Sequence, residues 1–257
     1  MKYMGSKARI AKHIFPIMDF FARERGLATW VEPFVGGGNM IDKVPERYAR
    51  YGFDLNPHVI QALTDIRDYP ELLPEIITES DYAAMRGTPP APFTSWVRFV
   101  CSFGGKFEGG YARQKGGDAG TFPSVGKRNA VSQSGRNFAK ESGGNAIRQT
   151  PGLQNVHLAV SAYGGIRVSG AVIYCDPPYQ GTSGYKTGAF DHGKFFNWCR
   201  EMAKNNLVFV SEYSAPEDFI PVWEGEIKTN FSSSRVAATN VARERLFLVI
   251  DNTVNSQ

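Results

Sequence analysis

A short strand that runs directly into a glycine run constrains the fold of this chain more than any other feature. Residues 28–34 predict a strand, residues 36–38 are three consecutive glycines, and residues 39–48 predict a helix. A second strand over 50–54 then ends in Asp54. Strand, glycine turn, helix, strand and acid in this order are typical of a doubly wound α/β sheet that holds a nucleotide-like ligand at the turn.

Helix signals frame this unit on both sides. Residues 6–22 have apolar positions at three- and four-residue spacing, with Ser6 as a cap and Gly26 as a stop. Pro16 lies inside that pattern, so a kink or a split is expected there. Asn56 followed by Pro57 predicts the cap and first turn of the next helix.

The sheet pattern resumes in the second half of the chain. The expected elements are strands at 156–160, 171–175 and 207–211, a helix at 191–204, and two antiparallel terminal strands near 226–232 and 245–251. The strand at 171–175 is apolar throughout, which is typical of a strand covered on both faces.

Between these halves the composition changes. Residues 101–150 hold 11 of the 27 glycines and an excess of five positive charges, whereas the whole chain has a net charge of +4. We interpret residues 67–155 as an inserted, mainly helical lobe with a long loop. Four of its basic residues are candidates for phosphate or base contacts, with a solvated charged loop as the alternative for each: Lys106, Arg113, Lys127 and Arg128. Trp96, Phe99, Val100 and Phe103 share a helical spacing that predicts core packing.

A rigid four-residue motif follows the apolar strand. Asp176, Pro177, Pro178 and Tyr179 lie just beyond residues 171–175, where open α/β sheets bind ligands. Two prolines stiffen the turn and remove two N–H donors, so carbonyls and one carboxylate are left as acceptors. Such a site suits an NH2 group on a planar base that stacks on the tyrosine. The alternative is a structural turn in which Tyr179 only packs.

Several other chemistries lack their residues in this sequence. The three cysteines have no CxxC spacing and the four histidines form no HExxH pair, so neither a disulfide framework nor a zinc site is expected. We interpret His58 and His192 as cap or surface residues. The apolar runs are too short to span a bilayer, which favours a cytoplasmic protein. The glycine run with Asp54 supports NAD, FAD or S-adenosylmethionine (SAM) equally.

The motifs together resemble the Dam-like family of bacterial and phage DNA adenine N6-methyltransferases. The resemblance is carried by residues 2–7 (Lys-Tyr-Met-Gly-Ser-Lys), 32–38 (Glu-Pro-Phe-Val-Gly-Gly-Gly), Asp54, 102–106 and the motif at 176–179. It implies a doubly wound, Rossmann-like SAM-dependent methyltransferase sheet with an inserted target-recognition lobe. Residues 1–66 and 156–257 would form the SAM-binding catalytic domain, and residues 67–155 the DNA-recognition lobe.

The resemblance also implies roles for individual residues. The family positions that contact SAM correspond to Tyr3, Lys7, Glu32, Pro33, Phe34, Gly36, Gly38, Asp54 and Asp176. The positions that grip a flipped adenine correspond to Asp176, Pro177, Pro178 and Tyr179. Tyr3 stands where a tryptophan is frequent, and the glycine motif has a third glycine. The lobe differs too much for a target sequence to be transferred.

The expected function is site-specific transfer of a methyl group from SAM to adenine N6 in double-stranded DNA, with no metal. A homodimer would suit a palindromic site, although the sequence shows no dimer. Two alternatives stay open: a SAM-dependent enzyme that acts on RNA or a protein amide, and a catalytically silent DNA-binding protein. A nicotinamide dehydrogenase is a weaker reading. The sequence does not separate a restriction-modification role from phage defence or regulation.

Overall fold

The computed structural model describes residues 1–112, 143–179, 190–229 and 240–250. The chain divides into two compact units. The first unit comprises Met1–Arg9, Val35–Pro45 and Asp54–Val160, and the second unit comprises Ile10–Phe34, Glu46–Phe53 and Ser161–Gln257.

Six helices and seven strands are described. The helices are α1 (Ala11–Glu24), α2 (Pro57–Asp68), α3 (Glu79–Met85), α4 (Thr94–Val100), α5 (143–153) and α6 (His192–Ala203). The strands are β1 (Thr29–Glu32), β2 (Ala49–Asp54), β3 (Val156–Val160), β4 (Val172–Cys175), β5 (Leu207–Glu212), β6 (Phe219–Thr229) and β7 (Asn240–Val249).

Six of the strands form the sheet of the second unit, in the order β2-β1-β4-β5-β7-β6. The first four are parallel, and β7 runs antiparallel to both β5 and β6. Every residue of β4 and β5 is buried. Strands covered on both faces need such continuous burial, which explains the uninterrupted apolar run predicted at 171–175.

Helices cover both faces of this sheet. Phe21 of α1 packs its ring 6.1 Å from Phe209 of β5. Phe195 of α6 lies in one buried cluster with Val208 and Val210, the two neighbours of Phe209 in the strand. Successive side chains of a strand point to opposite faces, so α1 and α6 lie on opposite sides of β5. This arrangement confirms the doubly wound, Rossmann-like α/β fold.

Two elements differ from the sequence expectations. The helix expected over 39–48 is wrong, because the chain there forms only a 3-10 turn, Ile41–Lys43. Val44, which precedes Pro45, is extended at φ −73° and ψ 123°, as residues before proline prefer. Helix α1 begins at Ala11 and continues unbroken through Pro16, so it is not split.

Two other predictions are confirmed. The Asn56 side chain accepts a hydrogen bond from the His58 N–H at 3.0 Å, with Pro57 in the first turn of α2. The terminal strands pair antiparallel as expected. They are longer than predicted, since β6 already begins at Phe219 and β7 at Asn240.

A buried arginine organises the helical part of the first unit. One Arg98 nitrogen donates to Glu108 at 2.6 Å and another donates to the Thr88 carbonyl at 2.6 Å. The guanidinium also lies over the Phe107 ring, 4.5 Å from its centroid. The Arg98 side chain is 2% exposed and that of Glu108 is 13% exposed. One cation therefore joins α4 to two loops inside this unit.

Helix α5 is hydrogen-bonded to the glycine turn. The Gln149 side-chain amide donates to the carbonyls of Gly37 and Gly38, at 3.0 Å each. Further along α5, Gly152 lies against the backbone of Asp42, where an added Cβ would be 2.1 Å from the carbonyl oxygen. The close approach of helix and turn requires glycine at this position.

Replacement of Gly152 by alanine is expected to lower the free energy of unfolding by about 2–3 kcal/mol, because Asp42 must move to make room. Gly144→Ala in the same helix is the matched control, since its nearest neighbour is an Arg148 nitrogen at 3.9 Å. Alanine there should leave stability unchanged or raise it by up to about 1 kcal/mol. Urea unfolding of both variants measures the difference; equal midpoints would contradict the close contact.

Candidate active site

Three acids lie at or just beyond the carboxyl ends of neighbouring parallel strands in the second unit. Glu32 ends β1, Asp176 follows β4, and Glu212 ends β5. Glu32 is 2% exposed and Glu212 is fully buried, whereas Asp176 is partly exposed. Parallel strands bring these ends to one edge of the sheet, where open α/β sheets bind ligands. Glu32 and Asp176 were predicted from the sequence, whereas Glu212 was not.

The motif at 176–179 is anchored at its tyrosine. The Tyr179 hydroxyl donates to the Glu244 carboxylate at 2.5 Å. The Tyr213 ring meets the Tyr179 ring edge-on, with centroids 4.7 Å apart. Burial, followed by the charges of Asp176 and Glu244, raises the pKa of Tyr179 well above its ordinary value. The phenol therefore stays a donor, and its ring plane is fixed from two directions.

Glu244 is a second acid that the sequence analysis missed. It lies on β7 and is only 3% exposed, between Arg243 and Arg245. Those two arginines pair with Glu224 of β6, at 3.3 and 2.7 Å. Alternation of side chains along the strand turns the arginines outward and Glu244 inward. A period-two reading of β7 could have found it.

The next contact of the motif is made by His192. Its Nε2 lies 3.0 Å from the Pro178 carbonyl oxygen and 3.8 Å from Glu212 Oε2. The His192 side chain is 17% exposed, and the cap of α6 is Asp191, which accepts from the Lys194 N–H at 2.9 Å. The interpretation of His192 as a cap or surface residue is therefore wrong. His58 is also engaged, 3.0 Å from the Ser95 hydroxyl.

In the first unit, the glycine turn and Asp54 lie together. The Gly36 N–H donates to one Asp54 oxygen at 3.1 Å, and the Asn56 N–H donates to the other at 2.9 Å. Burial raises the pKa of Asp54 to about 6, although both hydrogen bonds oppose the shift. The ring of Tyr3 packs on Gly36, where an added Cβ would be 2.9 Å from its nearest atom.

The other predicted cofactor positions are placed as follows. Lys7 is 8% exposed, and its Nζ donates to the Gly5 carbonyl at 3.0 Å. Gly38 has φ +67°, and its N–H donates to the Val35 carbonyl at 2.9 Å. In the second unit, Glu32 accepts from the Trp30 indole at 3.0 Å, Pro33 is buried, and Phe34 packs against Tyr163, Phe190 and Phe195.

Only one of the predicted DNA-contact residues lies within the described part of the chain. Lys106 is exposed, whereas Arg113, Lys127 and Arg128 lie outside the described residues. Phe103 is 69% exposed, so its assignment to the core is wrong. The reason is that α4 ends at Val100 and Phe103 begins a separate 3-10 turn. An exposed ring close in sequence to an exposed lysine suits contact with a nucleic acid.

Within the described residues, no cluster of three or more histidine, cysteine or acidic side chains is arranged to hold a metal ion. The same part of the chain has no helix with the length and apolarity needed to cross a membrane. The motif at 176–179 thus offers acceptors and an oriented ring, and the glycine turn offers a carboxylate held by backbone N–H groups.

Comparison with known proteins gives one family match. Residues 3–94 match the model of the D12 class N6 adenine-specific DNA methyltransferases. The match includes the glycine run and Asp54 but ends before the motif at 176–179. It confirms the resemblance to the Dam-like enzymes over about a third of the chain.

Among solved structures, one similar chain is SMU.472, a proposed methyltransferase crystallised in complex with SAH. The two chains are 11% identical, and the alignment covers 86% of this chain and 48% of that one, with a TM-score of 0.29. The present chain thus spans about half the length of that structure. No curated protein matches the chain.

Proposed function

We propose that this chain, whose residues 3–94 match the model of the D12 class N6 adenine-specific DNA methyltransferases, transfers a methyl group from SAM to adenine N6 in double-stranded DNA. The family match carries the proposal. The motif at 176–179 lies outside that match and gives independent support, because its acceptors suit the amino group of a planar base.

The residues around the glycine turn fit SAM. A carboxylate accepts about four hydrogen bonds, so ribose hydroxyls can donate to Asp54 in addition to the N–H groups of Gly36 and Asn56. Gly36 has φ +48°, and an added Cβ would lie 2.9 Å from the Tyr3 ring, so the turn that directs the Gly36 N–H at Asp54 requires glycine. When bound, SAM supplies an electrophilic methyl group on a sulfonium.

The motif at 176–179 would hold the acceptor. The N6 lone pair of adenine is conjugated into the ring and must turn toward the methyl group to react. Hydrogen bonds from the two N6 hydrogens to the Asp176 carboxylate and the Pro177 carbonyl favour that geometry and stabilise the positive charge that develops on nitrogen. The Tyr179 ring, fixed through Glu244, would stack on the base and set its plane.

DNA as the substrate requires that the base leave the duplex. Flipping costs a few kcal/mol of lost stacking and pairing. Two kinds of contact would offset that cost. Phe103 would stack on an exposed base, and phosphates would be bound by the four candidate basic residues, Lys106, Arg113, Lys127 and Arg128. A homodimer on a palindromic site stays a prediction.

The direct test is expression in a host that lacks adenine methylation, followed by digestion of its DNA and search for N6-methyldeoxyadenosine. The expected result is methylated adenine in one sequence context, which sequencing that detects modified bases would identify. Transfer of labelled methyl groups to RNA or to a protein amide, with none to DNA, would favour the first alternative. Absence of SAM binding by calorimetry would favour a silent DNA-binding protein.

We expect SAM affinity to rise about tenfold between pH 5 and pH 7 if Asp54 accepts from the ribose. The pKa of Asp54 in the free protein is raised from 3.8 to about 6, so the carboxyl is mostly protonated at pH 5. Ribose hydroxyls favour the ionised form, so binding releases a proton and strengthens as the pH passes through about 6. Calorimetry over this range measures the slope.

The control for this prediction is Asp54→Asn. Titration of groups on SAM itself affects binding to this variant and to the parent chain equally, so any difference in slope comes from Asp54. The variant should bind SAM more weakly and lose the slope between pH 5 and 7. Linkage also sets the sign for stability: because the folded pKa is raised, the contribution of Asp54 to the free energy of unfolding decreases as the pH rises from about 4 to about 6. An unchanged slope in Asp54→Asn would remove Asp54 from the SAM site.

A further inference from the structure

One carbonyl of the motif at 176–179 accepts a hydrogen bond from a side chain outside the motif. Pro177 and Pro178 lack N–H groups, so neither residue can donate a backbone hydrogen bond within the turn. The Pro178 carbonyl has a donor in the second unit, the His192 ring nitrogen Nε2, at 3.0 Å. His192 is the first residue of α6, 14 positions further along the chain.

This contact fixes which ring nitrogen carries a proton. A carbonyl oxygen can only accept, so the hydrogen in the 3.0 Å contact must be on Nε2. The Glu212 carboxylate faces the same nitrogen at 3.8 Å. That distance is too long for a hydrogen bond, but a negative charge there favours the N–H over a bare nitrogen. Glu212 is itself held by the Tyr213 N–H at 2.8 Å.

The His192 ring is also fixed in orientation. Phe190 meets it edge-on, with centroids 4.9 Å apart, and the ring of Phe196, one turn further along the same face of α6, has its centroid 6.3 Å away. Phe196 is 8% exposed and belongs to the buried cluster of the sheet. The ring is thus tied to the rigid core of the second unit, as a donor that must hold a turn in place should be.

We propose that His192 is a positioning residue for methyl transfer. Its Nε2–H holds the Pro178 carbonyl, and through it the Pro177 carbonyl and Tyr179, in the arrangement that receives the adenine amino group. Glu212 keeps the proton on that nitrogen. The proposal rests on the proposed function, because the motif it positions is the one assigned to the adenine.

Kinetics of two His192 variants test the role. His192→Phe keeps a flat ring without a donor, and we expect kcat to decrease about tenfold with the KM for SAM unchanged within about twofold. His192→Gln retains an amide N–H donor and should recover kcat to within about threefold of the parent chain. His157→Phe is the matched control: this exposed histidine lies on β3, and its replacement should leave kcat unchanged.

Two kinetic results would overturn the proposal. One is a normal kcat in His192→Phe; the other is an equal decrease in the phenylalanine and glutamine variants, which would indicate a packing role rather than a hydrogen bond. Both variants are compared at a temperature at which thermal unfolding shows each of them fully folded.

A second measurement needs no methyl transfer. Nitrogen-15 NMR of histidine in the unliganded chain should show His192 protonated at Nε2, and a neutral ring with its proton on Nδ1 would overturn the proposal. If the parent chain methylates no DNA, the proposed function fails, and the position of this proton alone decides whether His192 holds the Pro178 carbonyl.

Discussion

Replacement of Asp176 by alanine is expected to lower kcat for methyl transfer to DNA by about 100- to 1,000-fold, while the variant still folds. The carboxylate follows β4 directly, and in the proposed reaction it accepts a hydrogen bond from N6 and faces the positive charge that develops there. Preorganised groups of this kind act mainly in the transition state, so kcat should decrease more than KM increases.

Two further variants separate charge from hydrogen bonding. Asp176→Asn keeps a carbonyl acceptor but loses the negative charge, so its kcat should lie between those of the alanine variant and the parent chain. Glu217→Ala removes an exposed acid of the second unit and should change nothing. Transfer of tritiated methyl groups measures all three; more than about a tenth of the parent rate in Asp176→Ala would remove Asp176 from the reaction.

Gly36→Val is expected to weaken SAM binding by at least about 100-fold, which corresponds to about 2.7 kcal/mol. Gly36 has φ +48°, a conformation that costs a side-chain-bearing residue about 1–2 kcal/mol and a β-branched one more. The new Cβ would also lie 2.9 Å from the Tyr3 ring. Either the ring or the Gly36 N–H that donates to Asp54 must move, and both belong to the proposed SAM site.

Gly26→Val separates backbone strain from loss of the site. Gly26 has φ +64°, and no atom lies within 4 Å of an added Cβ. This variant should lose at least about 1–2 kcal/mol of stability and bind SAM as the parent chain does. Calorimetric titration with SAM measures both variants. Normal affinity in Gly36→Val would show that the turn does not approach the cofactor.

The parallel strands of the sheet could be predicted from the sequence because each is recognisable from its own residues. An apolar run such as 171–175 must be covered on both faces, and the Asn56-Pro57 pair defines a helix start by local hydrogen bonding alone. The failed helix at 39–48 shows the limit of periodicity: Pro45 forces the preceding residue to be extended, and this local effect overrides a weak apolar pattern.

Three residues of the site were not assigned to it from the sequence, for a different reason. Glu212, Glu244 and His192 act through partners that are 14 to 65 positions away in sequence, and no local motif records such a pairing. The two acids have a weak signal nonetheless, since a lone acid at the end of a buried strand or on the inward face of one must find a donor. Such residues can be flagged from sequence, but their partners come from the fold.

The burial of the Arg98–Glu108 pair affects how the proposed DNA binding can be measured. Added salt screens exposed charges, whereas a pair whose side chains are 2% and 13% exposed is screened far less. Raising the ionic strength should therefore leave this ion pair in place while it competes with the proposed phosphate contacts. The slope of log affinity against log salt concentration then counts counterions released from the DNA, without a contribution from loss of the Arg98–Glu108 pair.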